Sequence, residues 1–156
     1  MHRTLILFAL PLLCVAFSHE AFAHCQVPCG IYDDHARIHA MEEDTATIGK
    51  AVANIDALSG LTDAKSKNQL IRWVQAKEKH ASHIIQVTAE YFLTQKIKPA
   101  KQDDRKAWKT YVDRLVACHA VMRAAMKTKQ SVSTGNVSSL RQAIDDLGAF
   151  YPPAKK

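Results

Sequence analysis

The chain has 156 residues, of which 47% are hydrophobic and 23% charged, and its formal net charge is +6. Aromatic residues make up 7%, with five glycines and five prolines, which argues against a many-stranded β-sandwich or barrel with frequent tight turns. The composition is typical of one helical domain and unlike that of a disordered or collagen-like chain. Lysine and arginine are scattered rather than clustered with aromatic side chains, so the pattern does not favour nucleic-acid binding.

The first 23 residues have the three parts of an export signal. A basic start precedes an apolar run from Thr4 to Phe17, and a polar stretch follows that ends in Ala21-Phe22-Ala23. The apolar run is short for a membrane span. We therefore expect residues 1–23 to be a signal peptide. Its removal by a maturation peptidase leaves His24 as the first residue of a periplasmic or secreted protein that has no membrane segment.

From Asp33 onward, apolar residues recur three and four positions apart, which predicts four amphipathic helices. Acidic caps and glycine or proline breakers set their boundaries: Asp33 to Gly60, Thr62 to Pro99, Asp103 to about Thr134 and, after a loop at Gly135, Val137 to Gly148. Short connections between such helices predict an all-α fold, an antiparallel four-helix bundle over residues 33–156. The tryptophan, methionine and isoleucine stripes are expected to form its core.

The residues that carry chemistry precede the first helix. Residues 24–32 read His-Cys-Gln-Val-Pro-Cys-Gly-Ile-Tyr. Pro28 fixes its own φ, and Gly30 permits backbone angles that a side chain would forbid. We expect a compact turn, here called the hook, that brings both cysteine sulfurs toward the new chain end.

The hook offers nitrogen and sulfur ligands to one metal ion. The amine of His24 and the amide nitrogen of Cys25 can close a five-membered chelate ring, and the thiolates of Cys25 and Cys29 complete four donors. An amide nitrogen binds only after losing its proton, which favours Ni(II) or Cu(II) over tetrahedral Zn(II). Thiolates also make trivalent nickel accessible, with the His24 imidazole placed as an axial fifth ligand.

Other cysteines and histidines have simpler interpretations. Cleavage leaves three cysteines, so at least one thiol is free, metal-bound or paired with another chain. Cys118 reads as a buried core thiol. The helical pairs His80/His83 and His35/His39 have spacings that can share a metal, but such pairs are more often ordinary surface or core histidines.

The hook resembles the nickel superoxide dismutase family, in which it reads His-Cys-x-x-Pro-Cys-Gly-x-Tyr. The resemblance extends to Ala36-Arg37-Ile38 on the first helix and Glu90-Tyr91-Phe92 on the second. It implies a homohexamer of four-helix bundles with one nickel ion per subunit. The implied reaction is disproportionation of superoxide to dioxygen and hydrogen peroxide by Ni(III)/Ni(II) cycling.

The resemblance also implies the site residues. The implied nickel ligands are the His24 amine and imidazole, the Cys25 amide and thiolate, and the Cys29 thiolate. Tyr32 matches the tyrosine that lines the substrate approach in this family, and Tyr91 matches its partner on the second helix. We predict these five residues as the site.

Two family positions differ here. An acidic residue orients the axial imidazole in well-known members, but this chain has His39 there, so His39, Glu42 and Glu43 all stay candidates. The arginine expected on the second helix has no clear counterpart, and Lys77 is the nearest cation.

Two alternatives to the enzyme stay open at this point. One is an exported helical protein that binds or delivers nickel or copper without turnover. The other is a structural bundle in which Cys25 and Cys29 form a disulfide after export.

Overall fold

The computed structural model describes residues 33–153; the predicted signal peptide and hook lie outside the described residues. The all-α, four-helix prediction is confirmed: no strand occurs within residues 33–153. The elements in chain order are α1 (Asp34–Leu58), α2 (Ala64–Gln86), a π-helical segment that continues α2 (Val87–Lys96), α3 (Arg105–Gln130) and α4 (Thr134–Gly148).

Acidic caps begin three of the helices, as predicted. The side chain of Asp33 accepts hydrogen bonds from the backbone N–H groups of His35 and Ala36, and Asp63 and Asp104 cap α2 and α3 in the same way. These carboxylates satisfy backbone donors that have no partner inside the helix.

The predicted loop at Gly135 is wrong, because Gly135 lies inside α4. Ser133 caps this helix by accepting a hydrogen bond from the backbone N–H of Asn136. The cap sets the start of the helix before the glycine, and the apolar periodicity that begins at Val137 did not reveal it.

Neighbouring helices are antiparallel. Asp34, at the start of α1, contacts Tyr91 beyond the end of α2, whereas Asp44, further along α1, contacts His80 within α2. Helix α1 packs against α2 and α4, and α3 packs against the same two helices, so the four form a closed bundle.

Helices α1 and α4 approach closely at a glycine. A Cβ atom on Gly148 would lie 3.1 Å from Cγ2 of Ile38, which is tighter than ordinary van der Waals contact. The absence of a side chain therefore lets α4 pack against α1 at the end of the bundle where α1 begins.

The core is apolar and follows the predicted stripes of α1 and α4. On α3 the prediction is wrong in detail: Trp108, Met122 and Met126 are only half-buried, and the buried apolar face is formed by Cys118, Val121, Ala124 and Ala125. The first half of α2 departs from the prediction: Ile71 is 58% exposed and Val74 39% exposed, and Trp73 is only half-buried. The largest fully buried apolar side chains are Phe92, Ile38, Met41, Ile48, Ile84, Leu140, Ile144, Leu147 and Val121.

The π-helical segment places two aromatic residues in the core. The backbone N–H of Ile97 donates to the carbonyl of Phe92 over 2.8 Å, a five-residue step rather than the four of an α-helix. Tyr91 and Phe92 are both buried in this wider turn. The sequence predicted a continuous α-helix here, because buried residues four apart fit either helix type.

None of the helices within residues 33–153 has the length and apolar character that crossing a membrane requires.

Candidate functional site

Four of the five predicted site residues, His24, Cys25, Cys29 and Tyr32, lie outside the described residues. The fifth, Tyr91, lies in the π-helical segment. Since Tyr32 is bonded to Asp33 in the sequence, the hook joins the bundle where α1 begins. The described part of the candidate site is therefore the set of side chains around the start of α1.

Asp34 links the start of α1 to the π-helical segment. Its Oδ1 accepts a hydrogen bond from the Tyr91 hydroxyl at 2.5 Å, and its Oδ2 lies 2.6 Å from Nζ of Lys96. Both partners come from the segment that replaces the last turns of α2. The carboxylate is thereby held by one neutral donor and one cation, and it fixes the end of the bundle from which the hook departs.

Aromatic and cationic groups surround Tyr91. The guanidinium carbon of Arg37 lies 5.6 Å from the centre of the Tyr91 ring, and Phe92 meets that ring edge-on with centroids 5.1 Å apart. Phe92 in turn contacts the ring of Tyr151. An arginine therefore stands beside Tyr91, but it comes from α1 and not from the second helix.

The surroundings of Tyr91 keep its phenol neutral. Burial raises the pKa of Tyr91 well above its usual value, and the hydrogen bond and negative charge of Asp34 raise this pKa further, against a smaller opposing effect of Arg37. At neutral pH the hydroxyl keeps its proton and donates a hydrogen bond to Asp34. Tyr91 is consequently suited to hold structure or to bind, and not to release a proton.

The start of α1 is also tied to the C-terminal end of the described chain. Nδ1 of His35 lies 3.3 Å from the backbone carbonyl oxygen of Tyr151, to which it donates. Burial raises the pKa of the Tyr151 phenol to about 12. Arg114 lies over the same ring, with 5.6 Å from its guanidinium carbon to the ring centre.

The three residues predicted as candidates for orienting the His24 imidazole lie one to two turns further along α1. Nδ1 of His39 is 3.2 Å from Oε2 of Glu42, and its Nε2 is 3.7 Å from Oε1 of Glu43. All three side chains are exposed. They form a polar group on the surface of α1.

Lys77 is the wrong cation for the site. Its buried ammonium donates to the backbone carbonyls of Thr128 and Lys129, both at 2.7 Å, and to Glu78 at 2.9 Å. It therefore binds the C-terminal end of α3. It precedes Tyr91 by fourteen positions, which is roughly 20 Å along a helix.

Cys118 is a core thiol, as predicted. It is fully buried, and burial raises its pKa to about 12. A thiol that stays protonated is neither a nucleophile nor a metal ligand near neutral pH. The thiolates of the predicted metal site must then come from the hook.

The arrangement of possible metal ligands also points to the hook and not to the bundle. Within residues 33–153, no group of three or more histidine, cysteine, aspartate or glutamate side chains is arranged to hold a metal ion. The hook sequence contains two thiols and an imidazole, and the predicted cleavage before His24 would add an amine; such a donor set suits nickel. The chemistry of these donors therefore fits a nickel site placed ahead of α1.

The fold and this junction define a class of protein: an all-α four-helix bundle whose first helix directly follows a cysteine- and histidine-containing segment. A family model, nickel-containing superoxide dismutase, matches residues 19–155, nearly the whole chain. The chain therefore belongs to the nickel-containing superoxide dismutase family, and this membership implies superoxide dismutase activity with a nickel cofactor. No curated protein and no solved structure matches the chain.

Sequence reasoning missed Asp34 as the partner of Tyr91 and Lys96 as the second partner of Asp34. Asp34 was assigned only to the start of a helix, and no local pattern shows that its partner lies 57 positions away. The one available signal was the match of Tyr91 to the family. That match singles out Tyr91, but it does not name the residues around it.

Proposed function

We propose that this chain is an exported superoxide dismutase in which the hook holds one nickel ion per subunit. The ligands are the amine and imidazole of His24, the amide and thiolate of Cys25, and the thiolate of Cys29. Removal of residues 1–23 by a peptidase creates the amine. The protein acts in the periplasm or outside the cell, as a homohexamer.

The observation that carries the proposal is the match to the family model, which includes the hook as well as the bundle. The junction supports it. Asp33 caps α1 immediately after the hook, and Asp34 binds Tyr91 and Lys96 one residue later. A helix start fixed at this point gives the preceding segment a rigid base.

Nickel bound by thiolate and nitrogen ligands supplies one-electron chemistry, alternating between its trivalent and divalent states. The chain supplies a binding site, access for a small anion and protection of the sulfurs from peroxide. Superoxide is negatively charged, and a formal net charge of +6 raises its rate of encounter at low ionic strength.

The two tyrosines have different roles in this proposal. Tyr32 belongs to the hook and lines the approach of superoxide. The Tyr91 hydroxyl donates a hydrogen bond to Asp34 and its pKa is raised, so we assign Tyr91 a positioning role at the start of α1. The protons for hydrogen peroxide then come from Tyr32, from the hook's backbone N–H groups or from water.

The exposed apolar side chains on the first half of α2 support assembly into an oligomer. Leu61, just before α2, and Ile71 and Val74 within it are exposed at 39% or more. Apolar groups of this kind are commonly covered by another copy. A homohexamer has six times the mass of one chain, which light scattering measures directly.

The experiment that tests the proposal combines three measurements on protein from the exported fraction: the mass of the mature N-terminus, nickel per chain and superoxide consumption. We expect a chain that begins at His24, holds one nickel and consumes superoxide. One nickel without turnover indicates the binding or delivery protein instead. A chain beginning at another residue contradicts the proposed ligand set.

A further inference from the structure

A second polar contact between α1 and α2 lies at Asp44, ten positions along α1 from Asp34, and the proposed function does not use it. Nδ1 of His80 lies 2.6 Å from Oδ1 of Asp44, and Nδ1 of His83 lies 2.6 Å from Oδ2 of the same residue. One carboxylate therefore holds two imidazoles. The Asp44 side chain is 10% exposed, so protein atoms largely surround it.

The hydrogen bonds to Asp44 determine which nitrogen of each imidazole ring carries the proton. An ionised carboxylate only accepts hydrogen bonds, so each histidine donates its Nδ1–H to Asp44. In the neutral ring, Nε2 then carries the lone pair. No residue between 33 and 153 forms a hydrogen bond with Nε2 of His80 or His83.

The two rings also share one side of the bundle. Residues three apart on a helix are neighbours on its surface. The side chains of His80 and His83 are 32% and 51% exposed. Solvent and dissolved ions therefore reach both rings, while the carboxylate behind them stays buried.

This arrangement is the one that metal-binding histidines use. Such a histidine binds metal through one ring nitrogen and donates the N–H of the other to a carboxylate, which fixes the ring and raises its basicity. In proteins this tautomer and orientation otherwise have to be selected when the metal binds. Here the shared contact with Asp44 sets them in advance.

We propose that His80 and His83 form a second metal site on the outside of the bundle, which takes Zn²⁺ through both Nε2 atoms. Water fills the other positions, and Asp44 acts as the positioning residue. Imidazole is a good ligand for zinc, nickel and copper. A site with two protein ligands agrees with the absence of a three-ligand group in residues 33–153.

The site is independent of the hook, so its test uses a chain that lacks the hook thiols. The sample is the chain from His24 with Cys25→Ser and Cys29→Ser, and the probe is Zn²⁺ alone. Imidazole ¹⁵N resonances are followed by nuclear magnetic resonance. Before zinc is added, we expect both rings to be protonated at Nδ1. With zinc, both Nε2 resonances shift together and saturate at one ion per chain.

Three substitutions separate binding from folding. His80→Gln and His83→Gln each remove one ligand, and each is expected to weaken zinc binding at least ten-fold. Asp44→Asn keeps an oxygen acceptor for one ring but not for both, and we expect zinc binding to fall about 10- to 100-fold. His119→Gln, at an exposed histidine on α3, is the control and leaves the affinity unchanged.

Two results would overturn the proposal. The first is a titration in which the His80 and His83 resonances do not move, or in which they move at different zinc concentrations. The second is an affinity that His80→Gln and His83→Gln leave unchanged in folded protein. Because these histidines are partly exposed, their glutamine variants test the site even if Asp44→Asn fails to fold. Neither result bears on the nickel site of the hook.

Discussion

Asp34 and Asp44 are both α1 aspartates that accept two hydrogen bonds from the second helix and its π-helical continuation, yet their partners differ chemically. Asp34 holds a phenol that stays protonated and a lysine ammonium, and neither group in that state is a good metal ligand. Asp44 holds two imidazoles, each of which keeps one ring nitrogen for a ligand. The same contact between helices can therefore fix a structure or prepare a binding site.

The two aspartates also differ in their position along α1. Asp34 is the first residue of α1, next to the hook, so its bonds hold the base of the predicted nickel site. Asp44 lies ten positions further along α1, and its two histidine partners are partly exposed on the surface of the bundle. We expect damage at Asp34 to reach superoxide chemistry and damage at Asp44 to leave it unchanged.

The largest effect is expected in the hook itself. Cys29→Ser removes one thiolate, and we expect both nickel retention and superoxide consumption to fall to the level of metal-free protein. Cys118→Ala is the matched control, because that thiol is buried and protonated. Nickel analysis and an activity assay check both variants. Full activity in Cys29→Ser would remove this residue from the site.

Asp34→Ala tests the base of the hook. It leaves the buried Tyr91 hydroxyl without this acceptor and Lys96 without its carboxylate, and we expect about 2 kcal/mol lower stability toward denaturant. Misplacement of the hook should lower turnover roughly ten-fold or more with the nickel retained. Asp34→Asn keeps an oxygen for Tyr91 and should lose less.

Measuring turnover in Asp44→Asn and zinc binding in Asp34→Ala tests whether the two aspartates have separate roles. Asp44→Asn should leave superoxide turnover per folded, nickel-loaded chain equal to that of the unsubstituted chain within experimental error. Asp34→Ala should leave zinc binding at His80 and His83 intact. If either substitution affects both activities equally in folded protein, the two aspartates do not have separate roles.

Alkaline pH tests the neutral, buried groups. The pKa of Cys118 rises from an ordinary 9.0 to about 12 and that of Tyr151 from 10.0 to about 12, both by burial. Between pH 9 and 12 the unfolded chain loses these protons while the folded chain keeps them, so stability falls as pH rises. Each group contributes at most about 1.4 kcal/mol per pH unit.

Denaturant titrations from pH 8 to 12 measure this slope. Cys118→Ala should reduce it, starting near pH 9, whereas an exposed substitution such as Lys79→Met should not. A stability that does not change over this range would show that the folded state releases these protons as easily as the unfolded state.

The smallest effect is expected at Lys77. Lys77→Met removes hydrogen bonds to the carbonyls at the end of α3, and we expect about 1 kcal/mol lower stability with unchanged turnover per folded chain. Lys79→Met, on the exposed side of α2, is the control. Thermal unfolding and an activity assay check both; a large loss of turnover would return Lys77 to the site.

The sequence was sufficient for the fold because local rules decide it. The caps at Asp33, Asp63 and Asp104 begin helices where their carboxylates meet free backbone N–H groups, and the apolar stripes of α1 and α4 face the core. The start of α4 was placed too late, because the Ser133 cap is a weaker pattern than the apolar run that follows.

The site was predictable only in part. Its ligands stand together in the hook, so one short stretch of sequence names them, and the family match agrees with that reading. The partners of Tyr91 and the joint binding of His80 and His83 by Asp44 depend on which helices pack together and in what register. Such contacts join residues 36 to 57 positions apart, beyond any helical repeat.

The central claim is that the α-amine of His24 is part of the metal site. The most direct measurement is stopped-flow superoxide consumption by nickel-treated chains that begin at His24, compared with chains that carry one additional alanine before it. We predict rapid consumption by the first and none above the metal-free level by the second, at equal helical content. Equal rates for the two chains would contradict the claim.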